Sequence, residues 1–192
     1  MQPRLHVAHL LSSCRVLGPG HRGVLWVRGC QRRCRGCIAE PILGPPADSG
    51  MAVDELAARI LAWPGIEGVT FSGGEPFEQA GALLALCQVL RSQRDLSLMC
   101  YSGFTLRELR SHPDSSVQSL LGQLDILVDG PFVQAQQHDL LWRGSSNQQI
   151  HLLSDRHRDL EDMVDSPGAG MELHVSRHPG SQGRLIWTVC GQ

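Results

Sequence analysis

Lysine is absent from this chain, and all 17 of its basic side chains are arginine. That absence excludes Schiff-base chemistry through a lysine, and any clamp on a carboxylate or phosphate must be a guanidinium or a backbone amide. Aromatic residues are scarce, at 5% with a single tyrosine, so the apolar content is mainly aliphatic and suits an α/β core. No apolar run approaches the length of a membrane span, and the opening "MQPRLHVAHL" lacks the layout of a signal peptide. The expected location is therefore cytoplasmic, with no membrane partner. A formal net charge of −2 argues against a dedicated nucleic-acid binder. Internal repeats and low-complexity tracts are missing too, and 192 residues fit one domain large enough to bury a core.

What the chain does hold is a crowd of thiols. The stretch "GCQRRCRGC", residues 29–37, contains Cys30, Cys34 and Cys37, three of the seven cysteines. In a reducing compartment such a cluster reads as a metal site rather than as disulfides. Zinc usually takes four ligands, and no second cysteine pair exists, so a zinc site would need a distant histidine. Three thiolates also suit an iron–sulfur cube with one iron left open to an exogenous ligand. Cys87 falls on an apolar helix face and Cys100 in a strand, which makes both small core residues. Cys14 and Cys190 stand alone. Arg22, Arg28, Arg32, Arg33 and Arg35 surround the cluster. They read either as a solvated basic loop or as charges that offset thiolates, a bound carboxylate or an acidic docking surface.

Periodicity places the cysteines in a fold. Residues 23–29, 68–74, 96–103, 124–130 and 148–153 read as strands, and helices are expected from Val53, over 78–93, and from Thr105 to about Leu121. On the first helix Val53, Leu56, Ala57, Ile60 and Leu61 share a face; on the second Leu83, Leu84, Cys87 and Leu90 do. Strand alternating with helix implies a parallel sheet, whose chemistry sits at the carboxyl ends of the strands. The cysteines, "SGGEP", "YSG" and "VDG" each follow one strand. Residues 1–154 are read as the main domain and 155–192 as an extension. In it "MELHV" and "RLIWTV" flank "SRHPGSQG" as a β-hairpin that offers an apolar face to the domain or to a partner, or extends the domain's own sheet.

The CxxxCxxC loop followed by "SGGEP" resembles the radical S-adenosylmethionine superfamily. "GPG", "FSGGEPFEQ", "YSG", "LVDGPFV" and "LLWRGSSNQQIHLL", in that order over residues 5–154, resemble the activases of anaerobic, class III ribonucleotide reductases. The resemblance implies a partial, open parallel β/α barrel of the radical S-adenosylmethionine type. It also implies a 4Fe–4S cluster on Cys30, Cys34 and Cys37, whose fourth iron is chelated by the amino and carboxylate groups of S-adenosylmethionine. One electron from a flavodoxin-like donor would cleave that ligand, and the adenosyl radical would take hydrogen from a glycine of a partner enzyme, with anaerobic ribonucleotide reductase the expected partner. Ser72, Gly73, Gly74 and Glu75 would contact the ligand, with the Glu75 carboxylate accepting from the ligand's ammonium group. Ser102 and Asp129 match strand-end positions lining the ligand site, and Arg143 would clamp the carboxylate, although each of these has a plain turn or surface reading. Ile38, Ala39 and Glu40 replace the aromatic and asparagine common after the last ligand, which leaves room for a different protein or peptide as target. A non-enzymatic iron–sulfur or zinc module is the remaining alternative. The hairpin is a candidate surface for a homodimer.

Overall fold

The computed structural model of the chain describes residues 2–46, 49–168, 170–177 and 185–191. Its strands are β1 (Arg4–Leu5), β2 (Val7–Cys14), β3 (Arg22–Val27), β4 (Met51–Ala52), β5 (Gly68–Gly73), β6 (Ser97–Tyr101), β7 (Ile126–Asp129), β8 (Gln137–Leu140), β9 (Arg143–Ser145), β10 (Gln149–Leu152), β11 (Met171–Arg177) and β12 (Leu185–Gly191). Four α-helices accompany them: α1 (Val53–Leu61), α2 (Ala80–Gln93), α3 (Leu106–Arg110) and α4 (Ser115–Leu121). The main sheet has the order β10-β7-β6-β5-β3-β2. Its centre, β3, β5, β6 and β7, is parallel throughout. No helix among the described residues is long and apolar enough to cross a membrane.

Helices cover one face of this sheet. Leu25, Val27, Val69, Phe71, Leu98, Cys100 and Leu127 pack there with α1, α2 and α4. The intervening residues turn to the opposite face, where Val24 and Trp26 form one cluster and Met99, Ile126 and Val128 another, joined by Tyr101. On α1, Val53, Leu56, Ala57 and Ile60 of the predicted face are buried, while Leu61 is only partly covered. On α2, Leu86 is buried with Leu83, Cys87 and Leu90, while Leu84 is only partly covered.

The sheet is open and parallel at its centre, as expected, but mixed at its edges, where β2 and β10 are both antiparallel to their neighbours. β10 turns antiparallel because no α-helix lies between it and β7; the chain makes the small β8–β9 pair instead, and a parallel return needs a crossover. β2 gave no strand signal because it follows no period-two pattern and pairs with two register shifts. The helical stretch expected up to Leu121 breaks at Pro113, which has no N–H to continue the ladder. Thr105 and Asp114 then cap the two halves separately.

Residues 154–167 are stitched to the domain. Ser154 donates to Asp125 Oδ1 at 2.6 Å, and the His157 ring meets Ser97 Oγ at 2.7 Å. Arg156 pairs with Asp95, and Leu160 packs against the Met99 cluster. The expected hairpin pairs antiparallel, from Met171 opposite Gly191 to Arg177 opposite Leu185, as a two-stranded sheet of its own rather than as part of the main sheet. Its turn lies outside the described residues.

At the amino ends of the strands lies a fully buried arginine. Arg22 donates to Thr70 Oγ1, Pro19 O, Ser97 Oγ, Val69 O and Ser97 O, all at 2.7–3.3 Å. Burial pushes its pKa down to about 10, against the opposing pull of Asp125. These contacts tie β3 to β5 and β6 with polar cross-links instead of apolar packing. Arg22→Met should therefore strand several buried acceptors and lower stability by on the order of 3 kcal/mol or more. Urea unfolding of the two proteins at one pH measures it.

Candidate functional site

The cysteine loop leaves the carboxyl end of β3 and is held at its root by backbone. Arg28 N–H donates to His6 O at 2.8 Å, Gly29 N–H to Ile42 O at 2.9 Å and Cys30 N–H to Leu43 O at 3.2 Å. From the other side, Gly74 N–H donates to Val27 O and Glu75 N–H to Gly29 O, each at 2.8 Å. The two glycines are there for this seam. A Cβ on Gly74 would stand 2.0 Å from Gly29 O, and one on Gly73, where φ is +100°, would stand 2.6 Å from Val27 O. The glycine pair thus lets the turn after β5 lie directly against the root of the cysteine loop.

Two residues that the motif reading left unused complete the hold. Glu78 Oε1 accepts from Gln31 N–H at 2.8 Å, and the Gln79 amide donates to Arg28 O at 3.1 Å. Their position in "GGEPFEQ" was the available signal: a carboxylate and an amide just after a glycine pair can reach back to orphan loop groups.

Cys30, Cys34 and Cys37 are partly buried, and none of the six described cysteines is in a disulfide. Burial raises the pKa of Cys30, while N–H groups of Arg33 and Arg32 aimed at its sulfur act in the opposite sense. Burial likewise raises Cys37, opposed by the N–H of Ala39 and reinforced by the nearby Cys34. N–H groups pointing at sulfur favour thiolate once a cation offsets burial, so the donor set fits an iron–sulfur cluster. Among the described residues no three His, Cys, Asp or Glu side chains close around one point as ligands of a single ion would. A cube asks for something different, one thiolate per iron.

Glu75 is a brace between strand ends. It is 1% exposed; Oε1 accepts from Phe77 N–H at 3.0 Å and Ser102 Oγ at 2.9 Å, and Oε2 from Gly103 N–H at 2.7 Å. Ser102 also accepts from Phe104 N–H at 3.0 Å. The carboxylate expected to meet a ligand ammonium therefore joins the ends of β5 and β6. Arg32 crosses the same junction: its guanidinium lies 4.1 Å from the Phe104 ring centroid, and its Cδ occupies the space beside Gly103. Ser72 is on the helix-free face with Trp26 and Tyr101, and makes no side-chain hydrogen bond among the described residues. Tyr101 Oη, buried there, also has no partner among them, and sequence reasoning gave no sign of it.

Asp129 and Arg143 stand apart from this group. Asp129 shares the side of β7 occupied by Leu127, toward the helices, and accepts from Leu106 N–H at 2.5 Å and pairs with His151 Nε2 at 3.0 Å. Burial would raise its pKa, but the hydrogen bonds from His151 and Leu106 and the charge of His151 outweigh it and lower the value. Arg143 donates to Val164 O and lies 3.5 Å from Asp165, so its guanidinium anchors the segment around 164–165. The rest of "RGSSNQ" holds the loop after β7: Gln148 donates to Gly130 O, Asn147 to Pro131 O, and Ser145 Oγ accepts from Val133 N–H. That loop in turn touches the cysteines' own turn, where a Cβ on Gly36 would lie 3.0 Å from the Gln134 side chain.

Comparison with known proteins places the chain among described relatives. The model of the 4Fe-4S single cluster domain family matches residues 16–151. The anaerobic ribonucleoside-triphosphate reductase-activating protein of Vibrio cholerae is 38% identical over 146 residues, 71% of this chain and 90% of that protein. Its namesake in Escherichia coli K12 is 32% identical over 150 residues, covering 72% and 92%, and that of Enterobacteria phage T4 is 29% identical over 145 residues, covering 70% and 86%.

Burial pushes the Glu75 carboxyl up to about 7, partly offset by its bonds from Phe77, Gly103 and Ser102. A raised folded-state pKa stabilises the fold fully below the unfolded value near 4.5 and loses that contribution as pH rises through about 7. Glu75→Gln does not titrate. The stability difference between wild type and this variant should therefore shift against wild type from pH 4.5 to 7.5 and stay level above, measured by urea unfolding of the cluster-free proteins.

Proposed function

The chain belongs to the family of anaerobic ribonucleoside-triphosphate reductase-activating proteins, and from that membership we propose that it installs a glycyl radical on an anaerobic ribonucleotide reductase. It is a radical S-adenosylmethionine activating enzyme with a 4Fe–4S domain. The observation that carries the reading is the seam at Gly29 and Gly74, which fixes a three-cysteine loop against the "SGGEP" turn at the carboxyl ends of β3 and β5.

In this reading Cys30, Cys34 and Cys37 would hold the 4Fe–4S cluster and leave one iron open to S-adenosylmethionine. When bound, the cluster would supply the one electron that breaks a carbon–sulfur bond of S-adenosylmethionine, releasing methionine and ending in loss of a hydrogen atom from a partner glycine. The chain's residues orient and enclose. Ser72 and the backbone of Gly73 and Gly74 face the ligand, with Tyr101 Oη offering one more donor from the same face. Glu75 and Ser102 act one step back, holding the Gly103 turn in place. Asp129 sets the start of α3, and Arg143 secures the segment around Val164. The face of the sheet opposite α1, α2 and α4 then serves as the inner wall of an open β/α barrel. A flavodoxin-like protein supplies the electron. The β11–β12 ribbon, whose Met171 and Leu173 are exposed, offers a face for a homodimer.

Anaerobic reconstitution followed by incubation with the reductase, S-adenosylmethionine and reductant should give a glycyl radical signal in electron paramagnetic resonance. Replacing any of Cys30, Cys34 or Cys37 by Ala should abolish iron–sulfur binding and the release of 5′-deoxyadenosine, since no other soft ligand is at hand. Cys87→Ala, on the buried face of α2, should keep both. Retention of a normal cluster by one of the three loop variants would remove the basis of this assignment.

A further inference from the structure

The helix-bearing face of the sheet holds a second concavity that the chemistry above does not use. Its volume is about 660 Å³, and it opens between α3 and the β7–β10 pair, lined by Arg107, Arg110, Asp129, Asn147, Gln149 and His151 among others. Because Asp129 lies on the Leu127 side of β7, this cavity is behind the sheet from Ser72 and Trp26.

Its charges are unevenly matched. The Asp129 carboxylate is already engaged by His151 and by Leu106 N–H. Arg107 and Arg110 are exposed, stand three residues apart on α3, and their guanidiniums form no ion pair or hydrogen bond among the described residues. Two cations without partners, beside a carboxylate whose own partners are His151 and Leu106 N–H, favour an anionic occupant.

The adjoining strand points to the form of that occupant. β10 ends the sheet order among the described residues. Leu153 N–H donates to Asp125 O at 2.8 Å, which fixes the phase of the ladder: Gln149 and His151 turn their backbone groups to β7, and Ile150 and Leu152 turn theirs outward. Such an edge is a template for another strand, and every second side chain of an added strand would face the same side as Gln149 and His151.

We propose that this cavity and the β10 edge form a docking groove for an acidic, extended segment of the partner reductase, whose carboxylates meet Arg107 and Arg110. The proposal rests on the functional reading above. The segment is distinct from the one bearing the reactive glycine, because the groove opens on the face opposite the helix-free wall.

The test uses the full-length, reconstituted protein with Arg107→Glu and Arg110→Glu together, and a milder pair, Arg107→Gln with Arg110→Gln. Cleavage of S-adenosylmethionine by a chemical reductant without the reductase should be unchanged in both. Affinity for the intact reductase should fall at least about tenfold on charge reversal, less on neutralisation, with a weaker salt dependence. In wild type, adding the reductase should slow hydrogen exchange at Ile150 and Leu152, and the reversed variant should lose that protection. Unchanged reductase affinity with an unchanged glycyl radical yield would overturn the proposal alone. So would ATP or inorganic phosphate binding that the variants lose while reductase affinity stays, since the cavity would then be a small-anion site. A wild-type protein that never binds the reductase would overturn the functional reading as well.

Discussion

One contact between two stretches of backbone sets the geometry on which the rest depends. Gly29 and Gly74 approach so closely that no side chain fits at position 74, and the carbonyls of Val27 and Gly29 accept N–H groups from across the seam. The cysteine loop is thereby fixed to the loop that follows the neighbouring parallel strand, before any metal enters. Glu78 and Gln79 extend the hold to Gln31 and Arg28, and Glu75 extends it sideways to Ser102 and Gly103. A metal centre needs ligands whose positions are constrained by their surroundings. Here the constraint is mainly main chain, which explains why so short a segment can present three thiols without a second ligand-bearing domain.

The sheet separates two environments. On the helix-free face, Trp26, Ser72 and Tyr101 lie next to the strand ends from which the cysteine loop springs. On the helix face, α1, α2 and α4 bury the core, and beyond them Asp129, His151 and α3 frame a polar cavity. Alternation along a strand assigns neighbouring residues to opposite duties: Val128 faces the Met99 cluster, whereas Leu127 and Asp129 face the helices. The arginines divide in the same way. Arg22 cross-links strand ends inside the fold, Arg32 stacks over Phe104 at the cysteine loop, and Arg107 and Arg110 remain in solvent.

Much of this was legible in the residues. The strands at 22–27, 68–73, 97–101 and 126–129 and most of the buried faces of α1 and α2 follow from hydrophobic period, and the cysteine spacing singles out the loop after β3 without any structure. What escaped has physical reasons. β2 carries no alternation because it is an irregular edge strand. The direction of β10 depends on what lies between it and β7, not on its own four residues. The role of Glu75 is invisible locally, since its partners Ser102 and Gly103 come from another strand. Arg143 sits in a motif whose other members hold the loop at 130–133, and only the folded chain shows that its guanidinium reaches Val164.

The central claim is that three thiols hold a cluster whose remaining iron belongs to S-adenosylmethionine. Mössbauer spectroscopy of protein reconstituted with iron-57, recorded with and without S-adenosylmethionine, tests it most directly. The account predicts that one iron site of the four changes its parameters on adding the ligand while the other three do not. Four sites indifferent to the ligand would contradict it.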